Sequence, residues 1–266
     1  MLTNYHTHTT FCDGKSTAEE IVLAALDSGF DAIGFSGHGY TAFDTRYCMK
    51  NTEGYLAEIL RLKEKYTKDI EIYLGVEEDA SYPLDGAKFD YRIGSSHYFF
   101  VDGVYYPVDS NYECMKRCVS VYHGDAIRMA EDYFASFCSY ILTYRPDIIG
   151  HFDLLTKFDE KDPFFLPNAD YRAIALKYAR VAAGSGAIFE VNTGAIARGY
   201  RTTPYPHEEI LHMLCKEGAR VMLSSDSHSK ETLAFGFEEA KAFLRSIGFT
   251  STVHLYHGAF VDIPIV

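Results

Sequence analysis

Tryptophan is absent from this 266-residue chain, and basic residues are the minority charge, with 25 Lys+Arg against 37 Asp+Glu and a formal charge of −12. That balance argues against binding long nucleic acids, which needs lysine and arginine to displace phosphate counterions. It leaves room for a local basic pocket that takes a small anion. No run of about 18 apolar residues occurs, so no helix is expected to cross a membrane. Residues Met1 to His8 lack the basic and apolar regions of a secretory signal. The six cysteines (Cys12, Cys48, Cys114, Cys118, Cys138 and Cys215) contain no CxxC pair. Free thiols in a cytoplasmic protein are therefore expected rather than a disulfide framework. Cys114 and Cys118, four apart, read as one face of a helix. No GxGxxG follows the first apolar run, and no GxxxxGK followed by Ser or Thr occurs, so a nucleotide-binding α/β fold has no support.

What is present has ordinary globular proportions, 47% hydrophobic and 23% charged, and a length that suits one large α/β domain or two small ones. Short apolar runs alternate with helical patterns, the sign of a parallel β/α protein. The runs are Leu2–Tyr5, Ala32–Ser36, Ile70–Val76, Tyr91–Ser95, Asp147–Gly150, Ala187–Val191 and Arg220–Ser224. Thr17 with Glu20 opens the first helix as a capping box, and Gly29 stops it. Further helices are expected over Glu53–Tyr66, Ala169–Ala183, His207–Lys216 and Glu231–Ser246. The rhythm breaks at about 98–145. There Asp102-Gly103 predicts a hairpin turn between Phe99–Val101 and Val104–Tyr106, and a long helical region follows from Tyr112 to Tyr144, broken near Gly124. The tail from Thr252 is expected to add an outer strand. These units predict a single domain over 1–266, a distorted (β/α)7 TIM-like barrel, with an open doubly wound sheet as the alternative.

The ionisable residues fall in a pattern. The proposed strands end in His6-Thr-His8, Ser36-Gly-His38, Gly75-Val-Glu77, Ser95-Ser-His97, Gly150-His151-Phe-Asp153, Glu190-Val-Asn192 and Asp226-Ser-His228. In a parallel barrel all these ends meet at one face, the face that carries active sites. Asp13, in the first βα loop, can reach it. Residues i and i+2 of a strand point the same way, so His6 with His8, and Asp226 with His228, can each serve one site. Imidazole and carboxylate suit zinc, manganese and iron. A mononuclear site needs three or four ligands, whereas His6, His8, Asp13, His38, Glu77, His97, His151, Asp226 and His228 suffice for two or three divalent ions. Glu77 is preferred over its neighbours Glu78 and Asp79. His123, His212, His254 and His257 fall outside the pattern.

These motifs, running from Asn4-Tyr-His-Thr-His-Thr-Thr-Phe-Cys-Asp13-Gly through Gly34-Phe-Ser-Gly-His38, Gly75-Val-Glu77, Tyr105-Tyr-Pro-Val-Asp109, Gly150-His-Phe-Asp-Leu154 and Glu190-Val-Asn-Thr-Gly194 to Ser224-Ser-Asp-Ser-His228, resemble the polymerase and histidinol phosphatase (PHP) superfamily, and within it the histidinol-phosphatase branch. The resemblance implies a (β/α)7 barrel with up to three divalent ions. It also implies hydrolysis of L-histidinol phosphate to L-histidinol and phosphate in histidine biosynthesis. The alternative within the family is a phosphoesterase for nucleotide monophosphates or short oligonucleotide ends. Amidohydrolase barrels also begin with HxH but usually carry a mid-chain lysine ligand and a single late Asp, so the Asp226-Ser-His228 pair favours the phosphoesterase. A noncatalytic scaffold predicts missing ligands, and none of the nine positions is missing.

A phosphomonoester dianion repels nucleophiles, and divalent ions answer this by neutralising its oxygens and making hydroxide available near neutral pH. An arginine fork is the expected partner of the phosphoryl group. Arg198, in the loop after the sixth strand, is the first choice, Arg201 in the same loop the second, and Lys230 a weaker candidate. Asp153 and His207 are candidate proton donors to the leaving alkoxide, alongside water on a metal. The partner is a small phosphomonoester, with neither long nucleic acid nor membrane expected.

Overall fold

The computed structural model of the protein describes residues 1–84 and 89–265. In chain order the elements are β1 (Thr3–Asn4), α1 (Ala18–Asp27), β2 (Ala32–Phe35), α2 (Thr52–Lys65), β3 (Glu71–Asp79), β4 (Tyr91–Ser95), β5 (Tyr98–Val101), β6 (Val104–Pro107), α3 (Tyr112–Val121), α4 (Ala126–Tyr144), β7 (Ile148–Ile149), α5 (Ala169–Ala183), β8 (Ile188–Asn192), α6 (Gly194–Ala197), α7 (Glu208–Lys216), β9 (Val221–Ser224), α8 (Phe237–Ile247), β10 (Ser251–Tyr256) and β11 (Ala259–Pro264). Seven strands form one sheet in the sequential order β1-β2-β3-β4-β7-β8-β9, and every pairing in it is parallel. Just past the ends of β1 and β9, Thr7 pairs with Ser227. The His8 amide donates to the Ser227 carbonyl at 2.8 Å, and the Ser227 amide to the His6 carbonyl at 3.0 Å. This bridge curls the sheet into a nearly closed barrel. The doubly wound alternative is excluded, because its strand order would reverse at a switch point.

The strands are buried on both faces, as a parallel sheet under helices requires: every residue of β2, β8 and β9 is buried. The predicted capping box opens α1, with the Thr17 side chain accepting from the Glu20 amide and Glu20 reaching back to the Thr17 amide. Its inner face is Ala18, Ile21, Val22 and Ala25, at helical spacing. The hairpin β5–β6 turns at Asp102 and Gly103, both at positive φ. The helical region after it breaks at His123-Gly124, also at positive φ, and Asp125 caps α4. Inside the barrel Tyr91 fills the space left by two glycines: a Cβ on Gly75 would lie 2.2 Å from the Tyr91 ring, and one on Gly34 2.4 Å from its hydroxyl.

Two expectations are corrected. The tail does not add a strand to the barrel sheet. Among the described residues β10 and β11 pair only with each other, because the Thr7–Ser227 bridge already joins the first and last strands and His257-Gly258, at positive φ, folds the chain back on itself. The ribbon seals the barrel end opposite the strand C-termini, packing Val253 and Leu255 against Tyr5, Tyr73, Ile148 and Met222. His254 sits there, with its Nδ1 2.7 Å from the Thr3 hydroxyl. The last helix also starts later than predicted, at Phe237, because Gly236 takes φ 70° between it and a short 3-10 turn at Lys230–Thr232. Among the described residues no helix joins β3 to β4.

Candidate metal centre

The residues that end the strands converge. Glu77, in β3, is the hub: its Oε2 lies 2.8 Å from His38 Nδ1, 3.3 Å from His6 Nε2 and 3.6 Å from His8 Nε2. Its Oε1 lies 3.0 Å from His151 Nε2 and 3.4 Å from His97 Nε2. Asp226 Oδ1 approaches His8 Nε2 at 3.1 Å and His6 Nε2 at 3.6 Å. Asp13 Oδ1 is 3.7 Å from His38 Nε2, and its Oδ2 is 3.5 Å from His228 Nε2. The β1–α1 loop folds back so tightly that a Cβ on Gly14 would lie 2.5 Å from the His8 carbonyl, which places Asp13 beside His8. Asp226 adopts φ 46°, unusual for a residue with a side chain; its carbonyl is held by Arg198 Nη1 at 3.0 Å. All nine residues anticipated from the strand ends fall into four overlapping groups whose donor atoms lie within 4.8 Å of one another.

The donor set fits cations. His6 Nε2, His8 Nε2 and Glu77 Oε2 are buried without a hydrogen-bond partner among the described residues, a costly state that a divalent ion would relieve. Burial opposes every charge here, yet His38, His6 and His97 outweigh it and hold the Glu77 carboxyl well below the ordinary range. Arg198 and His6 do the same for Asp226. His6 is raised well above its usual value, with Glu190 and Glu77 overcoming burial. His8 goes the other way: burial, then repulsion from His228 and His38, pushes it to about 3, so its ring is neutral and keeps a lone pair. The cluster thus shares protons among buried imidazoles and carboxylates, and metal binding displaces such protons.

The strand alternation that turns Glu77 inward turns Glu78 outward, to the Tyr140 hydroxyl at 2.5 Å and Arg92 at 3.0 Å. Arg198 stands at the rim, its Nη2 2.8 Å from Asp226 Oδ2. It lines a cavity of about 430 Å³ together with Asp44, Tyr47, Tyr98, Asp109, Lys157 and Tyr200, a volume that suits a small molecule.

Four other candidate residues lie away from the cavity. Arg201 is 3% exposed. Its guanidinium is taken up by Thr156 and by the Thr203 carbonyl at 3.2 Å, so it anchors its loop and does not line the cavity. Asp153 and His207 do not line it either. Asp153 is fully buried and accepts from the His207 amide at 2.9 Å, while the His207 ring caps α7. The tertiary structure turns both away from the cavity because they secure the start of that helix. Lys230 lies on the surface, 3.7 Å from Glu20. Sequence reasoning missed the groups behind the ligands: Glu190, against His6 Nδ1, and Asp79, 3.1 Å from His97 Nδ1. Both were visible as acidic residues in or beside strand-end motifs, but their partners lie on other strands. It also missed Lys157, whose Nζ donates to the Asp109 carbonyl at 2.7 Å.

A family model described as PHP domain matches residues 4–194. The chain is 27% identical to "Probable histidinol-phosphatase" of Schizosaccharomyces pombe, over 95% of this chain and 89% of that one. It is 24% identical to histidinol-phosphatase of Bacillus subtilis, over 88% and 96% respectively. The crystal structure of histidinol phosphate phosphatase from Lactococcus lactis, complexed with zinc, L-histidinol and phosphate, shares the fold, with a TM-score of 0.76 at 20% identity and 98% of each chain covered.

Proposed function

The chain belongs to the PHP domain family, and from that premise we propose that it is a metal-dependent phosphomonoesterase that hydrolyses L-histidinol phosphate to L-histidinol and phosphate, a step of histidine biosynthesis. The observation that carries the reading is the convergence of nine imidazole and carboxylate side chains, seven of which line a small cavity whose rim holds Arg198. Relatives that align over most of the chain carry the histidinol-phosphatase name.

In this reading His6, His8, Asp13, His38, Glu77, His97, His151, Asp226 and His228 hold two or three divalent ions, with zinc, manganese and iron all suited to the donor set. Bound there, such ions neutralise phosphoryl oxygens and lower the pKa of water toward neutrality. Glu77 offers both carboxylate oxygens to different sets of imidazoles, so both would be available as ligand atoms. Arg198, held in place by Asp226, would present its remaining N–H groups to the equatorial phosphoryl oxygens, where charge builds in the transition state. The far wall supplies aromatic faces from Tyr47 and Tyr98, whose rings stack at 5.9 Å, and carboxylates from Asp44 and Asp109. These suit the imidazole and the ammonium of histidinol phosphate. Six free thiols fit a reducing cytoplasm.

The test is a turnover panel run on protein of measured ion content: histidinol phosphate, nucleotide monophosphates, a short oligonucleotide and an aryl phosphate. Histidinol phosphate is expected to lead by kcat/KM. Preference for a nucleotide or an oligonucleotide end would replace this substrate with the family alternative.

A further inference from the structure

Glu190 is buried and does not line the cavity described above, yet it receives four donors from in or just past four strands. Its Oε1 accepts from His6 Nδ1 and from the Ser224 hydroxyl at 2.5 Å. Its Oε2 accepts from the His151 amide at 2.7 Å and from Asn192 Nδ2 at 2.9 Å. Only an ionised carboxylate can accept on all sides. His6 must then keep a proton on Nδ1, which leaves Nε2, 3.3 Å from Glu77 Oε2 and 3.6 Å from Asp226 Oδ1, as the nitrogen that would give up its proton and ligate when an ion binds. We infer that Glu190 is the positioning residue that fixes the ligating tautomer of His6, and that Asp79 does the same for His97. The inference rests on the metal-centre reading above and concerns residues behind the ligands rather than the ligands themselves.

The isosteric amide separates the two sides of the carboxylate. In Glu190→Gln the NH2 must face one of the two donor pairs. Facing the His151 amide and Asn192, it meets two donors that cannot turn away. One is backbone, and the other is held because Asn192 Oδ1 accepts from the Gly194 amide at 2.8 Å. Facing His6 and Ser224, it is accommodated: the hydroxyl rotates to accept, and His6 accepts on Nδ1 by moving its proton to Nε2. The ring stays in place and loses its lone pair for the metal. At Asp79 the logic repeats, since Oδ2 accepts from His97 Nδ1 at 3.1 Å and from its amide at 3.0 Å, while Oδ1 accepts from the Ser81 amide at 2.8 Å.

The experiment compares wild type, E190Q, Ser224→Ala, His6→Ala and the E190Q/H6A double variant by elemental analysis and chelator competition. Long-range 15N–1H spectra of the zinc-loaded proteins report the His6 tautomer. E190Q is expected to hold the ion served by His6 about 10- to 100-fold more weakly, to show His6 protonated on Nε2, and to lose nothing further when H6A is added. S224A removes one contact to the same oxygen without touching the tautomer and is expected to retain its ions. E190Q with wild-type ion retention, or a wild-type spectrum showing His6 protonated on Nε2, overturns the inference. Should E190Q fail to fold, the wild-type spectrum and Asp79→Asn compared with His97→Ala decide it. Wild-type protein that takes up no ions would instead sink the metal-centre reading itself.

Discussion

Arg198 offers the most direct test of how the cavity handles phosphate. Its guanidinium is already docked, with Nη2 2.8 Å from Asp226 Oδ2 and Nη1 3.0 Å from the Asp226 carbonyl, and the side chain is 33% exposed at the cavity rim. Little ordering cost therefore remains when a phosphoryl group arrives. Removing one preorganised donor to developing transition-state charge costs about 10²–10³ in rate, or about 2.7–4 kcal/mol. Arg198→Ala is accordingly expected to lower kcat/KM for histidinol phosphate by that factor. Ion content should hold, because the Asp226 carboxylate loses a competing cation and stays beside His6, His8 and His228. Arg198→Lys keeps the charge and loses the fork, so it is expected to fall between the two. The assay is phosphate release at matched ion content, with elemental analysis of each preparation. R198A with wild-type kcat/KM would remove Arg198 from the reaction, and R198A stripped of its ions would recast it as a support for Asp226.

Four further outcomes follow from the geometry. Under a chelator, ions are expected to leave the outer group first, since the Asp13 and His228 side chains are 34% and 24% exposed while His6 and Glu77 are 0% and 1%; Asp13→Asn should abolish the fast phase of ion loss and leave the slow one, and an unchanged time course would contradict this. Burial and the N-terminal ammonium hold His254 down at about 4. Because the unfolded chain binds that proton near pH 6.5, the stability it contributes is full above that pH and is lost as pH falls toward 4, by at most about 3 kcal/mol; His254→Gln should lack this share of the acid loss in melts compared pH by pH. Gly75→Ala drives a Cβ to 2.2 Å from the buried Tyr91 ring and should cost about 1–3 kcal/mol, read as a lowered Tm, with an unchanged melt refuting the close fit. Arg201→Met, which strips Thr156 and Thr203 of their partner, should also lower Tm, by about 1–3 kcal/mol, and a raised KM at unchanged Tm would return Arg201 to the phosphate site.

The metal-binding candidates were legible before any coordinates because a parallel barrel gathers all its strand C-termini on one face. The polar residue after each apolar run therefore needs no partner to announce itself, and the pairs His6–His8 and Asp226–His228 stand two apart at the first and last strands. Local signals also survived folding, such as the Thr17–Glu20 cap and the Asp102-Gly103 turn, since each is settled within a few residues. Only the tertiary structure decided what depends on direction and on distant partners. It chose the outward path of Asp153 and His207, the burial of Arg201 rather than Arg198, and the tail's place beneath the barrel. It alone brought Glu190 to His6 across 184 residues of chain. The reason is physical: past the end of a strand, a side chain's heading follows from hydrogen bonds and packing made by other strands and loops, and no short stretch of sequence contains both partners of such a contact.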